Sequence, residues 1–207
     1  MLPNEFEPTG LYDEAEAVST KALAFRVLAH AEIEAFFEDR ALETVRKART
    51  AWMDNGHVSK VVLCLLGFSG RSMDAPPDTL EAPGENKRKI WPELVDISER
   101  IKPVLAAFHN FVRNENHGIK EKNLLALLLP IGVAHKVIDP RFLADMDSFG
   151  ALRGAAAHTS TKTAVRQGLN PADELARVDR LKAGILALDD QIEQLLIAIP
   201  PAANQAA

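Results

Sequence analysis

"NPADELARVDRLKAGILALDDQIEQLLIAIP", residues 170–200, sets Leu175, Val178, Leu181, Ile185, Leu188, Ile192 and Leu195 three or four positions apart, which is the spacing of one apolar face of an α-helix. Asn170 ahead of Pro171 supplies its start: the amide side chain accepts from a free N–H of the first turn, and proline's missing donor costs nothing at the first helical position. Pro200 supplies the stop. Apolar and polar residues rarely alternate with period two here or elsewhere, so strands are not expected. The stretch therefore predicts an all-α chain ending in a long helix.

The same signals recur upstream. "DPRFLADMD" at 139–147 repeats the start, with Asp139 as cap and Pro140 inside it. Between Leu11 and Asp54, Leu23, Val27, Ala31, Phe37, Leu42, Val45, Ala48 and Trp52 keep a helical period until "DNG" at 54–56, predicting one long N-terminal helix or two in tandem. "VSKVVLCLLGF" at 58–68 is apolar on nearly all faces and reads as a central core helix, with Cys64 as a buried small hydrophobe. From Trp91 to Asn116 the period continues through Leu94, Ile97, Ile101, Leu105, Phe108 and Val112, with a kink expected at Pro103. "IKEKNLLALLLPIGVAHKVI" reads as a further core helix that Pro130 breaks or bends.

With 207 residues, 47% hydrophobic, the chain has enough apolar material for a sizeable core, and a single helical domain over 1–207 is expected. Residues 69–90, rich in proline, glycine and polar groups, read as a flexible surface loop, and the tail from about 200 as disordered. No run of 18 apolar residues occurs, and the opening "MLPNEFEPTGLYDE" lacks the basic and apolar regions of a secretory leader; a cytoplasmic protein without a membrane segment is expected. The net charge of −5 excludes attachment to nucleic acid by a global basic field. Locally the balance reverses: from Ser148 to Ala172 there is no Asp or Glu, while Arg153, Lys162 and Arg166 are present.

Common catalytic signatures fail. "GFSGR" at 67–71 has Arg71 where a nucleophile elbow needs glycine; no phosphate loop, His-Glu-x-x-His motif or cysteine pair for zinc is present. His30 and Glu34 stand one helical turn apart, but two ligands make a weak metal site, and Glu34 reads as an exposed helical carboxylate. "NKRK" at 86–89 reads as a solvated loop. No metal and no cofactor is expected.

"GALRGAAAHTS", residues 150–160, stands apart: Arg153 and His158 bracket tiny residues, and hydroxyls with a lysine follow. Histidine titrates near neutrality and can move protons, while arginine stays charged and donates two parallel hydrogen bonds to phosphate oxygens. RNA brings its own nucleophile, the 2'-hydroxyl. The pair has the residue types that RNA transesterification needs; Glu34 then orients Arg153 or His158 or stays an exposed carboxylate, Thr159 and Ser160 support the site or merely cap the helix end, and Arg113, Lys162 and Arg166 are candidate RNA contacts. Five helical steps separate the two side chains by roughly 140° around an ideal helix. Either Gly154 takes the backbone out of helix beside Arg153, or a symmetry mate completes the site. The bland alternative is a helix cap and a surface hydrogen-bonder flanking alanines packed on a neighbouring helix.

"LRGAAAHTS" resembles the arginine-x4-histidine signature of the HEPN superfamily, and "FLADMDSFGALRGAAAHTS" resembles its RiboL-PSP type; "NHGIKEKNLLALLLPIG" and "AHAEIEAFFEDRALETV" are similar to that family's helices. The resemblance implies a helical bundle that forms a homodimer, metal-independent endoribonuclease activity, and a role as a toxin or anti-phage defence effector, with a cognate antitoxin or defence-system component as partner. Gly154 departs from the pattern, in which Asn, Asp or His often follows the arginine. A non-catalytic RNA- or protein-binding module of such a system is the alternative implication.

Overall fold

The computed structural model describes residues 2–3, 5–7, 10–72, 77–81, 84–85, 89, 91–158 and 169–201, with side chains in those ranges except at 93 and 154–158. Among the described residues the chain is all-helical, without a strand. The elements are α1 (Ala15–Asn55), α2 (Lys60–Phe68), α3 (Trp91–Val95), α4 (Ile97–Asn114), α5 (Glu121–Leu128), a 3₁₀ turn (His135–Val137), α6 (Pro140–His158) and α7 (Pro171–Ile197). The long first and last helices match the expectation from periodicity.

Local chemistry accounts for the boundaries. Gly56 closes α1 with a φ of +66°, a left-handed conformation that glycine adopts without penalty. Ser59 caps α2 by accepting from the Val62 N–H, Asp139 caps α6 through the Arg141 N–H, and Asn170 caps α7 through the Ala172 N–H. α5 stops two residues short of Pro130, as the steric bias on residues preceding proline requires.

Two expectations are corrected. The helix read from Trp91 to Asn116 is interrupted at Asp96: the Asp96 carboxylate accepts the Ser98 N–H and starts a new helix that carries Pro103 inside it. Leu94 and Ile97 fall at this break and are exposed. α2, expected to be enclosed, buries Val61, Val62 and Leu65 but leaves Leu63 58% and Phe68 61% exposed. Nine residues so apolar give no contrast by which sequence can tell the inner face from the outer. Of the 69–90 segment, residues 73–76, 82–83, 86–88 and 90 lie outside the described residues, as does the tail from 202.

The described residues form two compact units. The first comprises Met1–Asp39, His117–Ala126 and Ala134–Gln191. Its core is built by Ala22, Ile33 and Phe37 of α1, Ile119, Leu124, Phe142, Met146 and Phe149, and Leu181 and Leu188 of α7. α6 and α7 approach so closely that a Cβ at Gly184 would collide with the Phe142 ring. Arg26, itself buried, makes two hydrogen bonds of 2.7 and 2.6 Å to the Glu174 carboxylate, which matches a planar guanidinium fork to a carboxylate. The second unit comprises Arg40–Asn116, Leu127–Val133 and Ile192–Ala207. Val45, Ala48 and Ala51, the inner face of α2, Ile101, Leu105, Phe108 and Val112 of α4, and Ile192, Leu196 and Ile199 make its core.

Candidate functional site

The candidate site is built in the first unit, where α6 presents Arg153 to solvent. α6 is held by a close approach: a Cβ at Gly150 would sit 3.0 Å from Lys120 Cγ and 3.6 Å from Ile119 Cγ1, so a larger residue there would press on the Lys120 side chain. One residue earlier, Phe149 is buried with its ring centroid 6.3 Å from that of His30 on α1. Arg153 follows Phe149 by one turn and therefore shares its side of the helix, which brings the guanidinium within electrostatic reach of His30.

His30 and Glu34 are successive-turn neighbours on α1, with Nδ1 of His30 3.5 Å from Oε2 of Glu34. The imidazole is 2% exposed and its Nδ1 makes no hydrogen bond among the described residues. Burial pushes the His30 pKa below its ordinary value near 6.5; the Glu34 carboxylate opposes that shift and the Arg153 charge adds to it. Neutral imidazole is thus the resting form at neutral pH. Glu34 is 20% exposed at its side chain, not the solvated carboxylate expected from sequence: its Oε1 accepts the N–H of Gly118. Gly118 takes a φ of +111°, and this turn aims the N–H at Glu34 while delivering Ile119 and Lys120 to Gly150. One carboxylate, one buried imidazole and one exposed guanidinium are so joined through a turn that no local pattern announces.

The predicted pair is carried by a single helix. α6 continues through Gly154 to end at His158, so the first of the two alternatives, a backbone departure at Gly154, does not occur, since a helix tolerates glycine at a cost of about 1 kcal/mol. Positions 153 and 158 of an ideal helix stand roughly 140° apart around its axis. The His158 side chain lies outside the described residues, as do Thr159, Ser160, Lys162 and Arg166 in full. Arg153 has no ion pair among the described residues. Arg113 is exposed on α4 in the second unit, where it shares a groove with Arg46, Arg49, Lys102 and His109. His30 and Glu34 find no third metal-ligating side chain among the described residues, and no helix among those residues is long and apolar enough to cross a membrane.

Sequence reasoning missed Gly118, Phe149 and the role of His30. The one available signal was the i,i+4 spacing of His30 and Glu34. Comparison with protein-family models, curated proteins and solved structures finds no match to the chain.

Proposed function

We propose that the chain is a HEPN-type endoribonuclease that works as a homodimer and cleaves RNA by internal transesterification, in the manner of a toxin or anti-phage effector. The 2'-oxygen attacks phosphorus while the bond to the 5'-oxygen breaks, giving a 2',3'-cyclic phosphate and a 5'-hydroxyl. A His158 imidazole takes the proton of the 2'-hydroxyl or returns one to the leaving 5'-oxygen, and an Arg153 guanidinium stabilises the charge gathering on the phosphate oxygens. No step calls on a metal. Because an ideal helix sets positions 153 and 158 roughly 140° apart, a phosphate meets Arg153 of one copy and His158 of the other. His30 and Glu34 act behind Arg153 as positioning groups, holding a neutral ring and a turn against the helix that carries it.

The observation that carries this reading is an arginine exposed and without an ion pair among the described residues, fixed one turn beyond a buried anchor, on the helix that ends at His158. A surface for the second copy is at hand in the same unit: Ala24, Val27, Leu28 and Ala31 are exposed on α1 at helical spacing, with Val27 39% and Leu28 47% accessible. The direct test incubates purified protein with single-stranded RNA in EDTA and resolves the termini. Products ending in cyclic phosphate, with at least a hundredfold loss in Arg153→Ala and His158→Ala, are expected in keeping with the usual value of proton transfer. Equal cutting by either variant, or cutting abolished by EDTA, would overturn the proposal.

The uninterrupted helix through Gly154 favours a second reading, a non-catalytic binding module whose arginine grips a phosphate without turnover. RNA binding that depends on Arg153 but leaves the strand intact would select it.

A further inference from the structure

The second unit contains a feature that the ribonuclease reading does not use. Between α4 and the part of α1 that follows Arg40 runs a groove of about 520 Å³. Its floor is aliphatic, made by Leu42, Val45, Leu105 and Ala106. Arg46 and Arg49 form one rim, and His109, Arg113 and Lys102, which also pairs with Glu99 of its own helix, the other; no carboxylate among the described residues lines it. Arg46 and Arg49 are exposed and have no ion pair among the described residues, whereas neighbouring Arg40 is held by Glu43 and Glu193. A cationic strip on a chain of net charge −5 is a local device rather than a by-product of composition.

The spacing selects the occupant. Lys102, His109 and Arg113, with Leu105 and Ala106 between them, repeat at seven and four residues and cover about 16 Å of helix at 1.5 Å per residue. That is too long for one small anion and suits about three helical turns. A nucleic-acid strand grips such a groove by stacking its bases on aromatic rings, and among the described residues that line it His109 alone carries a ring. A second copy bound about a two-fold axis would bring this patch onto itself, cation against cation. An aliphatic floor between two cationic rims instead complements a helix with an aliphatic seam and carboxylates on both flanks.

The geometry points to a docking site for an acidic amphipathic helix of a partner protein, seated between α1 and α4 of the second unit. Leu42, Val45 and Leu105 receive its apolar seam, Arg46 and Arg49 pair with carboxylates on one flank, and Lys102 and Arg113 face the other. This inference stands whether or not the chain cleaves RNA.

The probe is a fluorescein-labelled synthetic helix of about three to four turns, with leucine on the seam and glutamate on both flanks, titrated with full-length protein and followed by anisotropy. A scrambled peptide of equal composition and single-stranded poly(U) are the comparisons. Saturable binding of the amphipathic probe is expected, with the scrambled peptide at least tenfold weaker. The double variant Arg46→Glu/Arg49→Glu should lose at least tenfold in affinity, and a probe carrying lysine on its flanks should bind that variant better than wild type. Circular dichroism checks that the variant stays helical; both substitutions are exposed. Equal binding of the scrambled peptide, absence of probe binding to wild type, or displacement of the probe by poly(U) with loss of poly(U) binding in the double variant would overturn the inference. The last result would return the groove, and Arg113 with it, to RNA.

Discussion

Along α1, the residues up to Asp39 turn Arg26 and His30 into the interior, whereas those from Arg40 onward bury Ala41, Val45, Ala48 and Ala51 and leave Arg46 and Arg49 in solvent. One helix thus treats its cations in two ways. In the first unit a buried guanidinium is satisfied by two hydrogen bonds to Glu174, and a buried imidazole stands between a carboxylate and an arginine. In the second unit Arg46 and Arg49 flank an aliphatic groove that no carboxylate among the described residues lines. Buried charge must find its partner within the fold, because desolvation is repaid only by a close, well-directed counter-charge. Exposed charge needs none, and where it gathers beside apolar surface it is free to recruit a partner from outside.

The sharpest way to break this contrast is at Arg26. Arg26→Ala leaves Glu174, 2% exposed, without its main counter-charge, and should cost about 3–5 kcal/mol in urea unfolding. Replacing both partners, Arg26→Met with Glu174→Leu, should recover most of that loss. Comparable loss in the double variant would mean that the pair stabilises more than it burdens the fold.

His30 gives a smaller effect with a defined sign. Its pKa is lowered in the folded protein, so as pH falls below the ordinary value near 6.5 the unfolded chain takes up a proton that the folded one resists. Stability therefore drops from about pH 6.5 down to the folded pKa of His30. His30→Gln should flatten that part of the profile. By NMR, Arg153→Gln should raise the His30 pKa and Glu34→Gln should lower it further. A His30 resonance indifferent to Arg153 would dissolve the candidate site.

The smallest effect belongs to the second half of the helix. Arg46→Ala and Arg49→Ala should each change unfolding free energy by no more than about 0.5 kcal/mol. A larger loss would show these arginines serving the fold instead of an outside partner.

What the sequence made legible was local. Asp139–Pro140, Asn170–Pro171 and Gly56 mark helix ends because caps and left-handed glycines act within a few residues. Asp96 with Glu99 carries the same kind of information as a capping pattern, and the apolar periodicity running through it hid the break. The Arg153–His158 pair was visible as spacing, yet the continuity of α6 through Gly154 was not, since a glycine permits departure from helix without requiring it. The remainder is long-range. Arg26 meets Glu174 across 148 positions, Glu34 meets Gly118 across 84, and the groove joins two helices that each show only a basic face. No periodicity reports which faces will meet.

The central proposal, one phosphate shared by Arg153 of one copy and His158 of its partner, is tested most directly by mixing two inactive variants. Arg153→Ala and His158→Ala, unfolded together and refolded as an equimolar mixture, form mixed dimers in which one of the two shared sites keeps both native side chains. RNA cleavage restored to roughly a quarter of the wild-type rate is predicted from half the dimers being mixed and half their sites intact. A mixture as inactive as its components, beside a wild type that cuts RNA, would contradict it.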